Sequence, residues 1–319
     1  MTAVLVSLLL FGAALETASA QAPYPNRPIR IVVPFGPGGF ADITMRLAGQ
    51  GLSERTGQQV VIENRPSAGG IVAANAVTAT QPDGYTLFVM SSGIALSKSL
   101  IKTMPFDPET AFAPISTVAM FDNMILVRAD SPLRTTQDML TIARANPGAF
   151  NIGTINPGST QNVTAELIRF ATGIPMTIIP HRTSAEVLTS LLRGDIQIGV
   201  ESYAALKSPI DAGSIRAIAG SGSKRSPMQP NVSTLLEHGV NAAVDGWNSL
   251  VAPAGTPKEI VDVLNGHIRA VVQGDDFKRR MLDLGGEPNP STPEELAARL
   301  KSDIAMWGDV VKKAGLEPR

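Results

Sequence analysis

The chain has 319 residues, of which 44% are hydrophobic and 17% are charged, a globular composition that excludes a disordered protein. Its 27 basic and 28 acidic residues give a formal charge of −1, so no basic face for nucleic acid is indicated and any attraction for an anion must be local to a site. The absence of cysteine excludes disulfides, thiolate metal sites and cysteine nucleophiles.

An apolar segment, Val4–Leu15, opens the chain and is too short to cross a bilayer as a helix. It is followed by Ala18-Ser19-Ala20, a small-x-small pattern that signal peptidase accepts. We therefore predict that residues 1–20 are a secretory signal cleaved near Ala20. A buried or disordered N-terminus is the alternative, because no Lys or Arg precedes the apolar segment. The roughly 300 residues that remain favour two domains, since single cores tend to divide near this size.

A repeating order of strand, loop and helix follows the signal. The β-branched segment Ile29–Val33 predicts a buried strand, and Asp42 opens a stretch with apolar residues at helical spacing. Strands at Gln59–Glu63 and Tyr85–Met90, with a helix at Ile71–Ala79 between them, continue the order. This alternation predicts a parallel sheet with right-handed crossovers.

A second series of the same kind occupies the middle of the chain. Its predicted strands are Met124–Val127, Phe150–Gly153, Thr177–Pro180, Ile196–Val200 and Ile215–Ala219, and its predicted helices are 136–145, 162–171 and 185–192. Two series with separate strands imply two lobes. After a late strand at Trp247–Ala252, two capping boxes with proline at the first helical position predict helices at Pro257–Gln273 and Pro293–Ala314.

The loop Gly36-Pro37-Gly38-Gly39, between the first strand and the first helix, is the strongest candidate for a binding site. Open α/β sheets bind ligands where a helix begins at the carboxyl end of a parallel strand, and the free N–H groups there carry a partial positive charge. Glycines let a ligand approach the backbone, so the loop can hold a carboxylate or phosphate without a cationic side chain. An ordinary strand-to-helix turn is the alternative. The glycine patterns of nucleotide sites are absent.

Polar loops at equivalent positions supply further candidates. Residues 154–160 are rich in hydroxyl and amide groups; Ser159 or Thr160 is expected to cap the next helix, and the loop can also face the glycine loop across a cleft. Ser91 and Ser92 follow a strand that ends on the same sheet edge as the glycine loop, although a plain turn explains them equally well.

Evidence for catalysis is weak. No serine lies in a G-x-S-x-G elbow and no two of the three histidines have the spacing of metal ligands, so we expect no catalytic residues, metal or cofactor. His181 follows a strand and could contact a ligand, Glu201 could contact a polar ligand group, and Asp42 is interpreted as a partner of the helix dipole. A catalytic set assembled from distant residues is the remaining alternative.

Several ordered motifs resemble the Bug-type solute-binding proteins of tripartite tricarboxylate transporters. The matching segments are Tyr24–Gly39, Val61–Pro66 with Ala68–Gly70, Pro82–Leu87, Pro105–Pro108, Phe112–Pro114 and Leu250–Pro257. The resemblance therefore runs from about Tyr24 to the C-terminal helix.

The resemblance implies a periplasmic-binding-protein-like fold of type II, a Venus flytrap of two α/β lobes joined by two crossing strands. By analogy, the first lobe comprises residues 21–123 and 244–319, and the second comprises residues 124–243. It further implies a periplasmic protein, expected to be a monomer, that captures a small mono-, di- or aromatic carboxylate and hands it to the membrane permease subunits of a tripartite tricarboxylate-type transporter. A sensor that presents the ligand to a signalling receptor and, less favoured, an enzyme on the same scaffold are the alternatives.

The resemblance also implies a set of ligand contacts. By motif they are Phe35, Pro37, Gly38, Gly39, Phe40, Ala41, Asp42, Ser91 and Ser92 in the first lobe, and Thr154, Asn156, Ser159, Thr160, Ser184 and Glu201 in the second. The chain departs from the family at Pro180–Ser184, where P-Y-K-G-S is usual, and at Phe40, where a small residue is common. We hypothesise that Phe40 and His181 suit an aromatic or longer carboxylate.

Overall fold

The computed structural model describes residues 24–313, so the predicted signal peptide lies outside the described residues. The first of two sheets contains β1 (Ile29–Val33), β2 (Val60–Asn64), β3 (Thr86–Ser91), β4 (Phe112–Phe121), β10 (Gly246–Pro253) and β11 (Glu287–Pro288), in the spatial order β11-β4-β10-β3-β1-β2. β1 pairs in parallel with β2 and β3, whereas β10 runs antiparallel to β3 and β4.

The second sheet contains β5 (Asn123–Arg128), β6 (Asn151–Ile155), β7 (Thr177–His181), β8 (Ile198–Ser202) and β9 (Ile215–Gly220), in the order β7-β6-β8-β5-β9. β6 is parallel to β7 and β8, and β5 is antiparallel to β8 and β9. The chain enters this sheet at Asp122, between β4 and β5, and returns to the first sheet at β10. We call each sheet with its helices a lobe.

The helices of the first lobe are α1 (Phe40–Thr56), α2 (Ile71–Thr78), α3 (Ser92–Leu100), α8 (Lys258–Val272), α9 (Asp275–Asp283) and α10 (Pro293–Lys313). Those of the second lobe are α4 (Thr136–Ala145), α5 (Thr160–Thr172), α6 (Ser184–Arg193) and α7 (Tyr203–Asp211). A hydroxyl side chain caps six of these helices: Ser91, Thr135, Ser159, Thr183, Ser202 and Thr292. Among residues 24–313, no helix combines the length and the apolar character needed to cross a membrane.

The predicted strands and helices are confirmed, with ends that shift by a few residues, but β4, β11, α3, α7 and α9 are absent from the predicted elements. β4 lacks a clear apolar pattern because the polar pair Ser116-Thr117 lies at its centre. Both residues are buried, and Ser291 satisfies their polar groups: Ser291 N donates to Ser116 Oγ at 3.1 Å, and Thr117 N donates to Ser291 Oγ at 2.9 Å. A partner so distant in sequence leaves no local signal.

Apolar packing crosses the junction between the lobes. Leu96 of α3 and Trp307 of α10, in the first lobe, are buried in one cluster with Val163 of α5. In the other direction, Val187 of α6 and Tyr203 of α7 join the core cluster of the first lobe. The two lobes are therefore closed onto each other, and little space remains in the cleft between them.

Candidate functional site

The glycine loop directs backbone N–H groups toward the cleft. Gly39 is the N-cap of α1, with φ −80° and ψ 167°, and no side chain caps the helix. The first intrahelical bond runs from Ile43 N to Gly39 O at 3.0 Å, so the N–H groups of Phe40 and Ala41 have no intrahelical acceptor. Together with the helix dipole, these groups make the start of α1 favourable for an anion.

Asp42 holds the glycine loop in place. Its buried carboxylate accepts hydrogen bonds from Gly38 N at 2.9 Å, Asn64 Nδ2 at 3.0 Å and Arg46 Nε at 3.1 Å. Burial acts to raise the pKa of Asp42, but these bonds and the Arg46 charge hold it below its ordinary value. The carboxylate is committed to positioning the loop and is absent from the lining of the cleft cavity.

A cavity of about 20 Å³ lies between the lobes beside the glycine loop. Its lining residues are Phe35, Gly39, Phe40, Ala41, Ser91, Phe121, Ile155, Thr160, Gln161 and Asn248. None of these residues is charged, and the space holds about one water molecule. A larger ligand therefore requires the lobes to separate before it enters.

Asn248 is a lining residue absent from the predicted site. It lies on β10 directly opposite Ser91 of β3, so the two side chains project from the same face of the sheet. Asn248 is 1% exposed, and its Nδ2 has no hydrogen-bond partner within the described part of the chain. An unpaired buried amide is costly, and an asparagine inside the apolar strand Trp247–Ala252 is the signal by which sequence reasoning could have found it.

The loop between β6 and α5 packs against Gly69 and Gly93 of the first lobe, whereas the glycine loop meets Arg182 and Thr183, just before α6. Ser159 Oγ accepts a hydrogen bond from Asn162 N at 3.1 Å and so caps α5, as predicted. Thr154 Oγ1 accepts one from Asn162 Nδ2 at 3.2 Å. Both hydroxyls are buried and lie outside the cavity lining, to which this segment contributes Ile155, Thr160 and Gln161.

Glu201 lies near the end of β8 and is fully buried. Its carboxylate accepts hydrogen bonds from Ser184 Oγ at 2.9 Å and Gln161 Nε2 at 2.8 Å. Burial raises the pKa of Glu201 to about 7, and the bonds from Ser184 and Gln161 act in the opposite direction. Gln161 lines the cavity, and Ser184 Oγ lies 3.6 Å from where a Cβ on Gly39 would be. These two residues therefore connect Glu201 to the cleft.

Phe40 and His181, predicted together to suit an aromatic or longer carboxylate, occupy different surroundings. Phe40 lines the cavity, and its ring centroid lies 4.3 Å from that of Phe121. His181 is absent from the lining: Nε2 lies 2.8 Å from Ser190 Oγ on α6, and Nδ1 lies 3.3 Å from Thr154 O. Since these contacts hold the imidazole against α6, only Phe40 is placed to touch a ligand in this conformation.

Ser184 and Glu201 lie outside the cavity lining, as do Gly38, Ser92, Asn156 and Pro37. Ser92 Oγ accepts a hydrogen bond from Trp247 N at 3.2 Å. Asn156 Nδ2 donates to Ser67 O at 2.7 Å and so joins the second lobe to the first. Pro37 is exposed. In this closed conformation Asn156 links the two lobes to each other.

The lobes also meet through backbone at glycines. A Cβ built on Gly93 of α3 would lie 2.5 Å from Gly158 O and 2.8 Å from Thr160 N. A Cβ on Gly36 would lie 2.7 Å from Arg182 O. Real Cβ atoms essentially never come within 3.0 Å of another heavy atom, so glycine at these positions is what lets the lobes approach this closely.

A larger cavity, of about 350 Å³, opens at the junction of the lobes and shares Phe121 with the cleft cavity. Asp122 and Asp245, which belong to the two segments that connect the lobes, both line it. Burial raises the pKa of Asp122 to about 7, with a contribution from the Asp245 charge, and Asp122 Oδ2 has no partner within residues 24–313. No group of three or more His, Asp or Glu side chains in that range is arranged to hold a metal ion.

Replacing Asp122 by Asn should stabilise the protein above neutral pH. Because its pKa is raised, Asp122 keeps a proton in the folded protein between about pH 4 and 7, an interval in which the unfolded chain releases that proton. The contribution of Asp122 to the free energy of unfolding therefore falls as pH rises through this interval. We expect Asp122→Asn to be more stable by about 1–3 kcal/mol at pH 8, since one pKa unit corresponds to about 1.4 kcal/mol. Urea unfolding of both proteins at pH 5 and pH 8 measures this. An equal difference at the two pH values would contradict it.

The chain is similar to known proteins over most of its length. The family model described as tripartite tricarboxylate transporter family receptor matches residues 44–316. The solved structure of the periplasmic binding protein BugD has a TM-score of 0.88 and 30% identity, over 93% of this chain and 100% of that chain. An R. palustris protein with adipate has a TM-score of 0.88 and 34% identity, over 93% and 100%. MatC from Rhodopseudomonas palustris, with bound malate, has a TM-score of 0.85 and 27% identity, over 90% and 100%. These likenesses confirm the predicted two-lobed α/β fold.

Proposed function

The chain belongs to the tripartite tricarboxylate transporter receptor family, and from this membership we propose that it captures a small organic carboxylate in the cleft between its lobes. It acts in the periplasm, as a monomer, and passes the ligand to the membrane permease subunits of such a transporter. Support comes from similar proteins: BugD is a periplasmic binding protein, and two R. palustris proteins were solved with the dicarboxylates adipate and malate.

The observation that carries this proposal is the set of donors on the first-lobe wall of the cleft. The N–H groups of Phe40 and Ala41 have no intrahelical acceptor, and Asn248 Nδ2 is buried and has no hydrogen-bond partner among residues 24–313. Ser91 Oγ accepts from Ile94 N at 3.3 Å, which leaves its own hydrogen to donate. These groups line one cavity without a charged side chain, an arrangement suited to a carboxylate.

Such a wall can supply useful affinity without an ion pair. Hydrogen bonds to a charged group are worth about 1.5–3 kcal/mol each. Four of them give roughly 6–12 kcal/mol before the cost of ordering ligand and lobes. Micromolar affinity requires about 8 kcal/mol. The donors of the first lobe are therefore sufficient for capture, provided that closure of the second lobe excludes water.

Capture proceeds by closure of the lobes. The closed cavity of about 20 Å³ admits no organic acid, so ligand meets an open form in which the carboxylate docks on the start of α1. The second lobe then closes over the ligand, and the contacts of Asn156, Gly36 and Gly93 re-form as far as the enclosed ligand leaves room. The closed, ligand-bound form is the species that the permease receives.

A thermal-shift screen against mono-, di- and aromatic carboxylates, with adipate and malate among the probes, tests the proposed function. We expect at least one carboxylate to raise the melting temperature with a concentration dependence that gives a Kd. The same acids presented as amides or methyl esters should give no shift, because they lack the charge that the α1 terminus favours. If no acid in the panel stabilises the protein, the proposal is wrong.

Asn248→Ala should weaken binding of the best probe about 10- to 100-fold, the value of one hydrogen bond to a carboxylate. Ser249→Ala is the matched control: this neighbour on β10 donates to Met90 O at 3.1 Å and is absent from the cavity lining. Titration calorimetry with a single probe compares the two variants with wild type. An equal effect of both substitutions on Kd would remove Asn248 from the proposed site.

A further inference from the structure

The second-lobe wall of the cleft presents hydrogen-bond acceptors. Thr160 Oγ1 donates its hydrogen to Gln161 Oε1 at 3.0 Å, and Ser184 Oγ donates its hydrogen to Glu201 Oε2 at 2.9 Å. A hydroxyl has a single hydrogen, so both oxygens have only lone pairs left for a ligand. Thr160 lines the cavity and Ser184 lies against Gly39. This wall therefore favours a donor, opposite in character to the wall around Asn248.

The N-terminus of α5 adds few hydrogen-bond donors to this acceptor-rich wall. Asn162 N is bonded to Ser159 Oγ. Thr160 N is 2.8 Å from the place of a Cβ on Gly93 and so faces the backbone of the first lobe. The N–H of Gln161 is the donor left in the first turn, and its side chain already bonds to Glu201 at 2.8 Å. The wall remains rich in acceptors.

Glu201 is a buried acid next to this wall, and no cation is among the groups that shift its pKa. Its pKa responds to burial, to the side chains of Ser184 and Gln161 and to the N–H of Ser202, none of them charged. Several charged or titratable groups on the surrounding elements are engaged elsewhere: Asp42 with Arg46, Glu166 with Arg169, Glu186 with Arg182 N, Lys207 with Asp211, and His181 with Ser190. A second carboxylate at this wall would meet a like charge in a low dielectric, which disfavours ionisation of both.

Resting on the proposed function, we propose that Glu201 sets the ligand class: a carboxylate whose other end is a hydrogen-bond donor, such as a hydroxyl or an ammonium group. The carboxylate lies against the donors of the first lobe, and the donor lies against Ser184 and Thr160. The lobes close around a dicarboxylate only with the uptake of one proton, which Glu201 receives.

Protonation of Glu201 changes the second-lobe wall from a hydrogen-bond acceptor into a donor. A protonated carboxyl is a donor, so Glu201 can donate to Ser184 Oγ and free the hydroxyl hydrogen of Ser184 for a ligand carboxylate. Burial has already raised the pKa of Glu201 to about 7, and a nearby anion raises it further. With a hydroxyl or ammonium ligand, Glu201 stays ionised and no proton is needed.

Matched pairs of probes test this in the wild-type protein. For chains of four to six carbons, each dicarboxylate is compared with the hydroxycarboxylate that has a terminal hydroxyl in place of the second carboxyl. Titration calorimetry in buffers of different ionisation enthalpy counts the protons taken up. At pH 8 we expect the hydroxycarboxylate to bind at least about tenfold more tightly and without proton uptake. The dicarboxylate should take up close to one proton, and its Kd should rise about tenfold per pH unit above 7.

Glu201→Gln keeps the side-chain shape but cannot ionise. It should abolish proton uptake with the dicarboxylate and bring the affinities of the two probes at pH 8 close together. Dicarboxylate binding at pH 8 that is as tight as hydroxycarboxylate binding, with no proton uptake, would overturn this inference and leave the proposed function standing. Binding of neither series would overturn both. The wild-type comparison decides the matter even if the variant fails to fold.

Discussion

Gly93→Ala is expected to hold the lobes apart and to weaken carboxylate binding about 10- to 100-fold, a loss of about 1.4–2.8 kcal/mol. The added Cβ would lie 2.5 Å from Gly158 O, 2.7 Å from Ser159 C and 2.8 Å from Thr160 N, all backbone atoms of the second lobe. Backbone cannot rotate away as a flexible side chain does, so the lobes must move apart. The first lobe itself tolerates alanine here, because Gly93 lies in the first turn of α3 without a positive φ.

Gly266→Ala is the matched control for this substitution. Gly266 is also helical, in α8, and a Cβ there meets nothing within 4 Å. It should leave Kd unchanged and raise helix stability by up to about 1 kcal/mol. Calorimetry gives Kd for one carboxylate probe, and small-angle scattering gives the radius of gyration. A Gly93→Ala protein as compact as wild type, with the same Kd, would show that these lobe contacts do not limit closure.

The sequence was sufficient for much of the fold because the strands that build both sheets have strong local signals. β1 is a β-branched run, and the capping box before α10 marks where that helix begins. The box predicted before α8 is wrong, because Thr256 Oγ1 donates to Pro253 O and α8 begins after Pro257 without a side-chain cap. β4 and α3 lacked such signals. The centre of β4 is polar and depends on Ser291 for its hydrogen bonds, and α3 begins with Ser92-Gly93, which equally suits a turn.

The part of the candidate site that one continuous segment forms was predictable from the sequence. The part that depends on contacts between distant segments was not. Gly39 of the glycine loop lines the cavity together with Phe35 and Phe40, because strand, turn and helix follow one another in the chain. Asn248 reaches the same cavity because β10 returns from the second lobe and pairs with β3, a register that no local pattern contains. His181 was misleading for a related reason: the direction of its ring depends on Ser190 of α6 and Thr154 of β6.

Gly39→Asp should abolish carboxylate binding without destabilising the protein. Gly39 has extended backbone dihedrals suited to an N-cap, and a Cβ there makes only ordinary contacts, 3.6 Å from Ser184 Oγ and 3.7 Å from Gly36 O. An aspartate at this position can accept hydrogen bonds from the first turn of α1, as N-cap aspartates do. It thereby places a carboxylate where the ligand's carboxylate is proposed to bind. We expect at least about a 100-fold loss of affinity and a free energy of unfolding that is unchanged or higher by up to about 1 kcal/mol.

Opposite effects on binding and stability separate this mechanism from general damage. Gly274→Asp is the matched control, because Gly274 is also an uncapped N-cap glycine, on α9, and lies outside the cleft. It should leave Kd unchanged. Gly39→Asn, which caps without a charge, should lose less affinity than Gly39→Asp, and the gap between them measures the electrostatic share of the competition. If a carboxylate probe stabilises the Gly39→Asp protein as much as wild type, the carboxylate does not bind at the start of α1.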